Sequence, residues 1–467
     1  MSKLKIIYWW DTEDYINPQS DDALLLLLKE FEKRSIPAVF KMVGEKTRVL
    51  VERGRKDIIG LLKNDLFEIG YHTDMHSAHP TIAEYTEHLD WQEGLGEILL
   101  NETAGLDVTR ETFGKEIVCY GQPGSSYTPF VYGAMRAWGV PAYLGGGAYL
   151  GDDIFPTSLH GIFNMARMNG ASSGFSARKG DAAPKLARDA MTKLVKTLPD
   201  NAIISHCNHP NEWSLEKWWD EVNFLHGAAP LREEWKPAPL VPVDEMKRRV
   251  GLYGEYLDWV KSQGVEAISL KQAMELYSSG RNVIRREELL PIAAKWAKGE
   301  VDGHLDVDEN ISLSAAQVLY LLVQAAQETC PDTLFTGEVD APVFIEGLSL
   351  GEPFNVSRDV LLRAAEMLMN HIRSCNVLPA MVEVPGQKCV PPAAMGVALG
   401  KLLTTKTKSV KLANDEVHFL PAGEVVVYGK GVGPWSIHHE GFTGANLVEY
   451  TRLLSWSYRR LFNRSGD

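Results

Sequence analysis

LFEIGYHTDMHSAHP, residues 66–80, decides how this chain is read. An apolar run of strand length passes directly into His72, His76 and His79. A strand that ends in titratable side chains is ordinary in a loop-rich protein. It carries weight when the strand belongs to a parallel sheet, because such sheets place their chemistry at the carboxyl ends of the strands. The rest of the chain therefore has to show whether the sheet is parallel.

Working outward, short apolar runs alternate with helical patterns. KIIYWWD (5–11), PAVFKMV (37–43), LFEIGYHT (66–73), EIVCYGQP (116–123), AYLGGG (142–147), GIFNMARM (161–168), NAIISH (201–206) and EAISL (266–270) have strand length and apolar content. Between them lie amphipathic stretches such as DDALLLLLKEFEKRS (21–35), which opens on Asp and closes before Pro37. This alternation predicts parallel strands joined by crossover helices. No Gly-rich phosphate fingerprint follows the first strand, so the expected α/β fold is a (β/α) barrel of about seven or eight parallel strands.

The rhythm changes in the charged stretch 281–310. The expected division is a catalytic barrel over 1–285 and a smaller α-rich (α+β) domain over 286–467. Within the latter, ISLSAAQVLYLLVQAAQE followed by APVFIEGLSLGEP parallels VSRDVLLRAAEMLMNHIRS followed by LPAMVEVPGQKCVPP. Each pairs an amphipathic helix with a strand-like segment, a weak repeat of roughly 45 residues. NLVEYTRLLSWSYRRLF is expected as a final helix with an apolar stripe.

Composition narrows the function classes. Lys and Arg number 48 against 61 Asp and Glu, a net charge of −13, which disfavours nucleic-acid binding. The five cysteines form no CxxC pair, as in a reducing compartment. MSKLKIIYWWDTED does not read as a signal peptide, and no run of about 18 apolar residues exists, so a cytoplasmic protein without a membrane span is expected. The oligomeric state is not legible.

Four expected strand ends carry candidate chemistry. Strand 1 delivers Asp11, Glu13 and Asp14, carboxylates that bind a cation or accept a proton. Strand 3 delivers His72 and His76; if the chain turns helical there, the i,i+4 spacing puts both rings on one face, where they converge on an ion such as Zn²⁺. His79, off that face, reads as a solvent or outer-layer residue. The fourth run ends in Gln122, Pro123 and Gly124, a tight loop with backbone N–H groups available to a substrate. NAIISHCNHP brings His206 and His209, which titrate in the range an acid catalyst needs. Each of these taken alone also fits an ordinary β–α loop.

Taken together and in order, these segments resemble the polysaccharide deacetylase family, the chitooligosaccharide-deacetylase-like hydrolases, over roughly residues 5–275. SIPAVFKMVGE resembles the family's second-strand segment. EIGYHTDMH resembles its E-[IL]-[GA]-x-H-[ST]-x-x-H motif, WWDTED its Asp-rich first motif, GQPGSSYTPFVYGAMRAWG its third, and NAIISH the late strand with a catalytic histidine. The resemblance implies an irregular (β/α) barrel that hydrolyses an N-acetyl or related amide on a small-molecule or glycan substrate. It implies a divalent metal, with Zn²⁺ first among the candidates. By position, Asp11 becomes the general base, and His72 and His76 metal ligands. Asp14 is the third ligand with Glu13 as alternative, and His206 the general acid with His209 as fallback. One departure stands out: Gln122 occupies the place of an Arg that pairs with the base in the family, and Arg167 is the substitute the sequence offers. Two other functions stay open, a metal-independent allantoinase-like amidohydrolase and a catalytically silent glycan-binding barrel. The C-terminal repeat faintly resembles pseudomurein-binding repeats, which implies glycan or partner contact.

Overall fold

Strand β1, Lys5–Thr12, is buried from Ile6 onward, which is what a near-continuous apolar run becomes when both faces of a parallel sheet are covered. The structure is a computed structural model and describes residues 4–145, 150–152, 154–166, 168–200, 202–278, 281–300, 303–308, 311–327, 329–343, 352–413 and 438–463. Two units emerge: Met1–Pro156 with Phe163–Leu276 and Val426–Ala445, and Thr157–Ile162 with Tyr277–Val425 and Asn446–Asp467.

In the first unit the sheet is a curled half-barrel flanked by helices, consistent with a (β/α) barrel. Its strands are β1, β2 (Ala38–Met42), β3 (Phe67–Tyr71), β4 (Ile117–Tyr120), β5 (Ala142–Gly145), β6 (Ile162–Ala166), β7 (Ser172–Ser173), β8 (Ile203–Asn208) and β9 (Glu266–Ala267). The order is β6-β5-β4-β3-β2-β1-β8-β7, with β9 beside the start of β1. These pairings are parallel. Each of the apolar runs singled out in the sequence overlaps one strand.

Register fixes which side chains share a face. Asp11 pairs with Lys41, and Lys41 with Gly70. These belong to the inner row of the sheet. Trp10, one residue out of phase, packs toward Phe31 of helix α1 (Pro18–Arg34) and toward Tyr253. Helix α1 begins three residues before the expected Asp21, because Pro18 sits in the first turn, where a fixed φ and a missing N–H cost nothing.

Segment Val426–Ala445 is part of this unit although it lies far along the chain. Its described part is held by two carboxylates. Glu84 Oε1 accepts from His439 N at 2.6 Å, and Glu87 Oε1 accepts from the N–H groups of Thr443 and Gly444 at 3.1 and 3.0 Å.

The second unit is a helical core edged by short antiparallel pairs. Helices Arg286–Ala297, Ala315–Ala325, Arg358–Cys375 and Pro392–Thr404 bury Trp296, Leu319, Leu368 and Leu399 together. Both helices of the repeat start at a serine whose side chain accepts from a backbone N–H of the first turn, Ser314 from Gln317 and Ser357 from Val360. The strand-like tail APVFIEGLSLGEP lies largely outside the described residues. The expected final helix ends early, at Leu454. Ser457 Oγ donates to Leu454 O at 2.7 Å, and Ser455 Oγ takes Arg452 O; hydroxyls that capture backbone carbonyls favour ending a helix. The chain then passes through a 3₁₀ turn to a strand, Arg459–Arg460.

Candidate active site

The first unit gathers Asp11, Glu13, Lys41, His72, His76 and His209 at the carboxyl ends of β1, β2, β3 and β8, Asp11 and Lys41 within their strands and the others just past them. His72 and His76 do not meet through a helix. The chain leaves β3 through a turn in which Thr73 and His76 both take left-handed backbone (φ 62° and 53°), and helix begins only at Ile82. Such conformations cost about 1 kcal/mol or more for residues with a Cβ. Thr73 Oγ1 offsets part of this by accepting from His76 N at 3.1 Å.

Three lone pairs converge here. His72 Nδ1 stands 2.8 Å from Gly121 O, which only accepts, so Nδ1 carries the proton and Nε2 is bare. His76 Nδ1 faces Ser77 Oγ at 2.6 Å. Glu13 Oε1 accepts from Trp219 Nε1 at 2.9 Å, which leaves Oε2 turned to His76 Nε2 at 2.9 Å and His72 Nε2 at 3.7 Å. Ligand atoms of Glu13, His72 and His76 all lie within 4.8 Å of one another. His76 Nε2 is buried with no hydrogen bond. A buried, unpaired lone pair is costly, and a cation among the three donors removes the cost. Burial pushes the Glu13 carboxyl up, but His76 and His209 outweigh it and hold it well below the usual range. Burial pulls the His72 imidazole down, in keeping with a neutral ring. The donor set, two imidazole nitrogens and a carboxylate, suits a borderline ion such as Zn²⁺.

Asp14 is not in this set. The residue expected first as third ligand turns the other way: its Oδ1 accepts from Ile16 N, Asn17 N and Asn17 Nδ2 at 3.0, 3.0 and 3.1 Å. It shapes the turn after β1, while Glu13, two residues beyond Asp11, supplies the inward carboxylate.

Asp11 sits 3.8 Å from His72 Nε2, beside the cluster. Its partner is Lys41, which motif reading missed: Nζ is 2.7 Å from Asp11 Oδ1, donates to Leu144 O at 2.8 Å and lies 4.1 Å from the centre of the Trp9 ring. The signal was a lysine inside an apolar strand, in register with Asp11. Glycines make its corridor. A Cβ at Gly121 would lie 2.1 Å from Lys41 Nζ, and one at Gly70 2.7 Å from Lys41 Cγ. Burial pushes Asp11 up, but Lys41, His72 and His209 outweigh it and hold the carboxyl well below its ordinary value.

The positive charge sought from position 167 thus comes from β2; Arg167 itself lies outside the described residues. Gln122 is buried and structural in its contacts. Its Nε2 donates to Gly124 O at 2.8 Å, and its Oε1 accepts from Tyr143 OH at 2.6 Å. Pro123 O accepts from Ser126 N at 2.9 Å, and Gly124 takes φ 50°, so this loop is a tight turn as expected.

The two late histidines separate, one inside the strand and one past its end. His206 pairs with Tyr8 in register and shares its helix-facing side. It is enclosed by Tyr8, Tyr253 and Tyr256, with Ser173 Oγ at 2.7 Å and Asn208 Nδ2 at 2.8 Å on its ring nitrogens. Burial pulls it down to about 3, which leaves it neutral and unable to donate as an acid near pH 7. His209, past the strand end, faces the site: Nε2 is 3.4 Å from Asp11 Oδ2, and Nδ1 3.6 Å from Glu212 Oε1. Burial pulls it down, but Glu13, Asp11 and Glu212 more than reverse this and hold the ring protonated. His79 stays apart, 2.6 Å from Glu84.

Asp11, Cys207 and His209 form a second group with ligand atoms this close. Burial and Asp11 push the Cys207 thiol up, and the Lys41 ammonium already occupies Asp11, so a second cation is disfavoured there.

No family model and no curated protein matches the chain. Similar solved structures include a Mycobacterium smegmatis protein assigned by its name to the polysaccharide deacetylases, 14% identical over 59% of this chain and 90% of that one, with a TM-score of 0.38. Puue allantoinase is 12% identical over 59% and 90%, with a TM-score of 0.36. The Bc1960 peptidoglycan N-acetylglucosamine deacetylase is 10% identical over 58% and 92%, with a TM-score of 0.34. At these values the likeness decides nothing about the reaction. The structural neighbours of this chain thus include polysaccharide and peptidoglycan deacetylases, a mutant of a CE4-family pseudoenzyme and an allantoinase.

Proposed function

We propose that the first unit is a metal-dependent amide hydrolase that removes the acetyl group from an N-acetylated aminosugar or glycan precursor. The observation that carries this reading is the convergence of His72 Nε2, His76 Nε2 and Glu13 Oε2 beside the Asp11–His209 pair. When bound, a divalent ion polarises a carbonyl and lowers the pKa of water. Glu13, His72 and His76 would hold it, and three protein ligands leave room for other partners.

The chain's own residues do the rest. Lys41 keeps Asp11 ionised and fixes its orientation, so Asp11 accepts the proton of an attacking water. His209, protonated and hydrogen-bonded to Asp11, gives a proton to the departing amine nitrogen. Lys41 also supplies the charge whose loss from position 122 motivates the silent-barrel reading. The substrate class rests on the motif resemblance.

The test is metal analysis of purified protein together with turnover of a panel of N-acetylated sugars, ureides and formamides. One divalent ion per chain, with acetate released from the sugars and lost in His72→Ala, is the expected result. Turnover without metal, turnover of ureides alone, or no turnover of any amide overturns it.

A further inference from the structure

Trp219 and Asp220 are consecutive in the segment after β8, and each reaches a different member of the triad. Trp219 Nε1 donates to Glu13 Oε1 at 2.9 Å. Asp220 Oδ2 accepts from Ser77 Oγ at 2.8 Å, and Ser77 Oγ stands 2.6 Å from His76 Nδ1. A serine hydroxyl has one proton to give. Once it goes to Asp220, the Ser77 oxygen receives the Nδ1 proton of His76, and the lone pair is left on Nε2, toward Glu13. Trp219 does the matching thing for the carboxylate by taking Oε1, so that Oε2 is the free oxygen.

Both are rigidly placed. Trp219 is fully buried among Tyr15, Val43, Leu215 and Phe224. Asp220 starts a tight turn, its carbonyl accepting from Asn223 N and Phe224 N at 3.1 and 2.8 Å. His76 packs its ring 5.4 Å from that of Trp219.

We infer that Trp219 and Asp220 are paired positioning residues for the metal centre: Trp219 selects the ligating oxygen of Glu13, and Asp220, acting through Ser77, selects the ligating nitrogen of His76. The inference rests on the metal reading above. Hydrogen-bond partners of this kind orient a ligand and set its basicity, and their loss typically costs about 10- to 100-fold in metal affinity.

The experiment is Zn²⁺ titration of the full chain against a chromophoric chelator, with the visible spectrum of the Co²⁺ form as a second readout. Ser77→Ala, Asp220→Ala and Trp219→Phe each weaken Zn²⁺ binding by about 10- to 100-fold and alter the Co²⁺ spectrum. Asp220→Asn, which keeps an acceptor oxygen, recovers most of the loss. Ser77 and Asp220 act in series, so the Ser77→Ala/Asp220→Ala double variant is no worse than either single one. Trp219 acts on another ligand, so its loss multiplies with that of Asp220→Ala. Wild-type protein that takes up no Zn²⁺ overturns the metal reading and this inference with it. Wild-type protein that takes it up, with all variants equal to it in affinity and spectrum, overturns this inference alone. Metal-free variants with unchanged unfolding temperature but weakened binding separate positioning from folding.

Discussion

Lys41 Nζ stands 2.7 Å from Asp11 Oδ1, and the two residues are register partners on adjacent parallel strands. Both are buried, and Gly70 and Gly121 leave the space through which the lysine runs. Removing one partner of a buried pair leaves an uncompensated charge, at a cost of about 3–5 kcal/mol. Lys41→Met is therefore expected to lower the unfolding midpoint and to cut kcat/KM on the order of a hundredfold. Gly121→Ala, which puts a Cβ where Nζ lies, should reproduce the activity loss without touching a charge. Wild-type kinetics in either variant would contradict the assignment.

Glu13 and Asp14 are adjacent, and their predicted phenotypes differ. Glu13→Ala is expected to abolish stoichiometric metal, measured by elemental analysis. Asp14→Ala removes the acceptor for three N–H groups of the turn and costs about 1–3 kcal/mol of stability. Its metal content stays at one per chain. A reversal of these two outcomes would restore Asp14 as the ligand.

The histidine of β8 and the one just past its end should also part. His209→Gln is expected to lower kcat by about 10²–10⁴-fold, the usual worth of a positioned acid. His206→Gln, altered within the tyrosine-lined layer behind the sheet, should show up as lost stability with turnover changed by less than that of His209→Gln. The comparison is steady-state kinetics beside thermal unfolding.

Glu102 gives a pH signature of its own. Burial pushes this carboxyl up to about 7 from an ordinary 4.5, against the hydrogen bonds it accepts from Tyr71 OH, Asp74 N and Tyr85 OH. A raised carboxyl favours the folded state below pH 4.5, and that contribution is lost as pH rises through 7, by about 3 kcal/mol in all. Glu102→Gln, neutral at every pH, should flatten the stability profile between about pH 4.5 and pH 7, as read by chemical denaturation. An unchanged profile would show that Glu102 does not carry the proton.

Much of the barrel was legible in the sequence because a buried parallel strand needs a short, nearly continuous apolar run, and each such run overlaps one. Asp11, Glu13, His72 and His76 were legible as polar residues placed at the ends of those runs. What local pattern could not supply was side. Asp14 against Glu13 and His206 against His209 are decided by where the folded chain turns each side chain: Asp14 accepts from the N–H groups of its own turn, and His206 takes the helix-facing side in register with Tyr8. Lys41 reads alone as an oddity in an apolar strand; only pairing with β1 makes it the partner of Asp11. Trp219, Asp220 and the segment held by Glu84 and Glu87 lie far in sequence from what they touch. Sequence by itself determined the elements and the chemistry available at their ends, since those depend on near neighbours. Tertiary structure decided which groups meet, because hydrogen bonds and ion pairs between distant residues exist only once the strands have paired and the loops have folded over them.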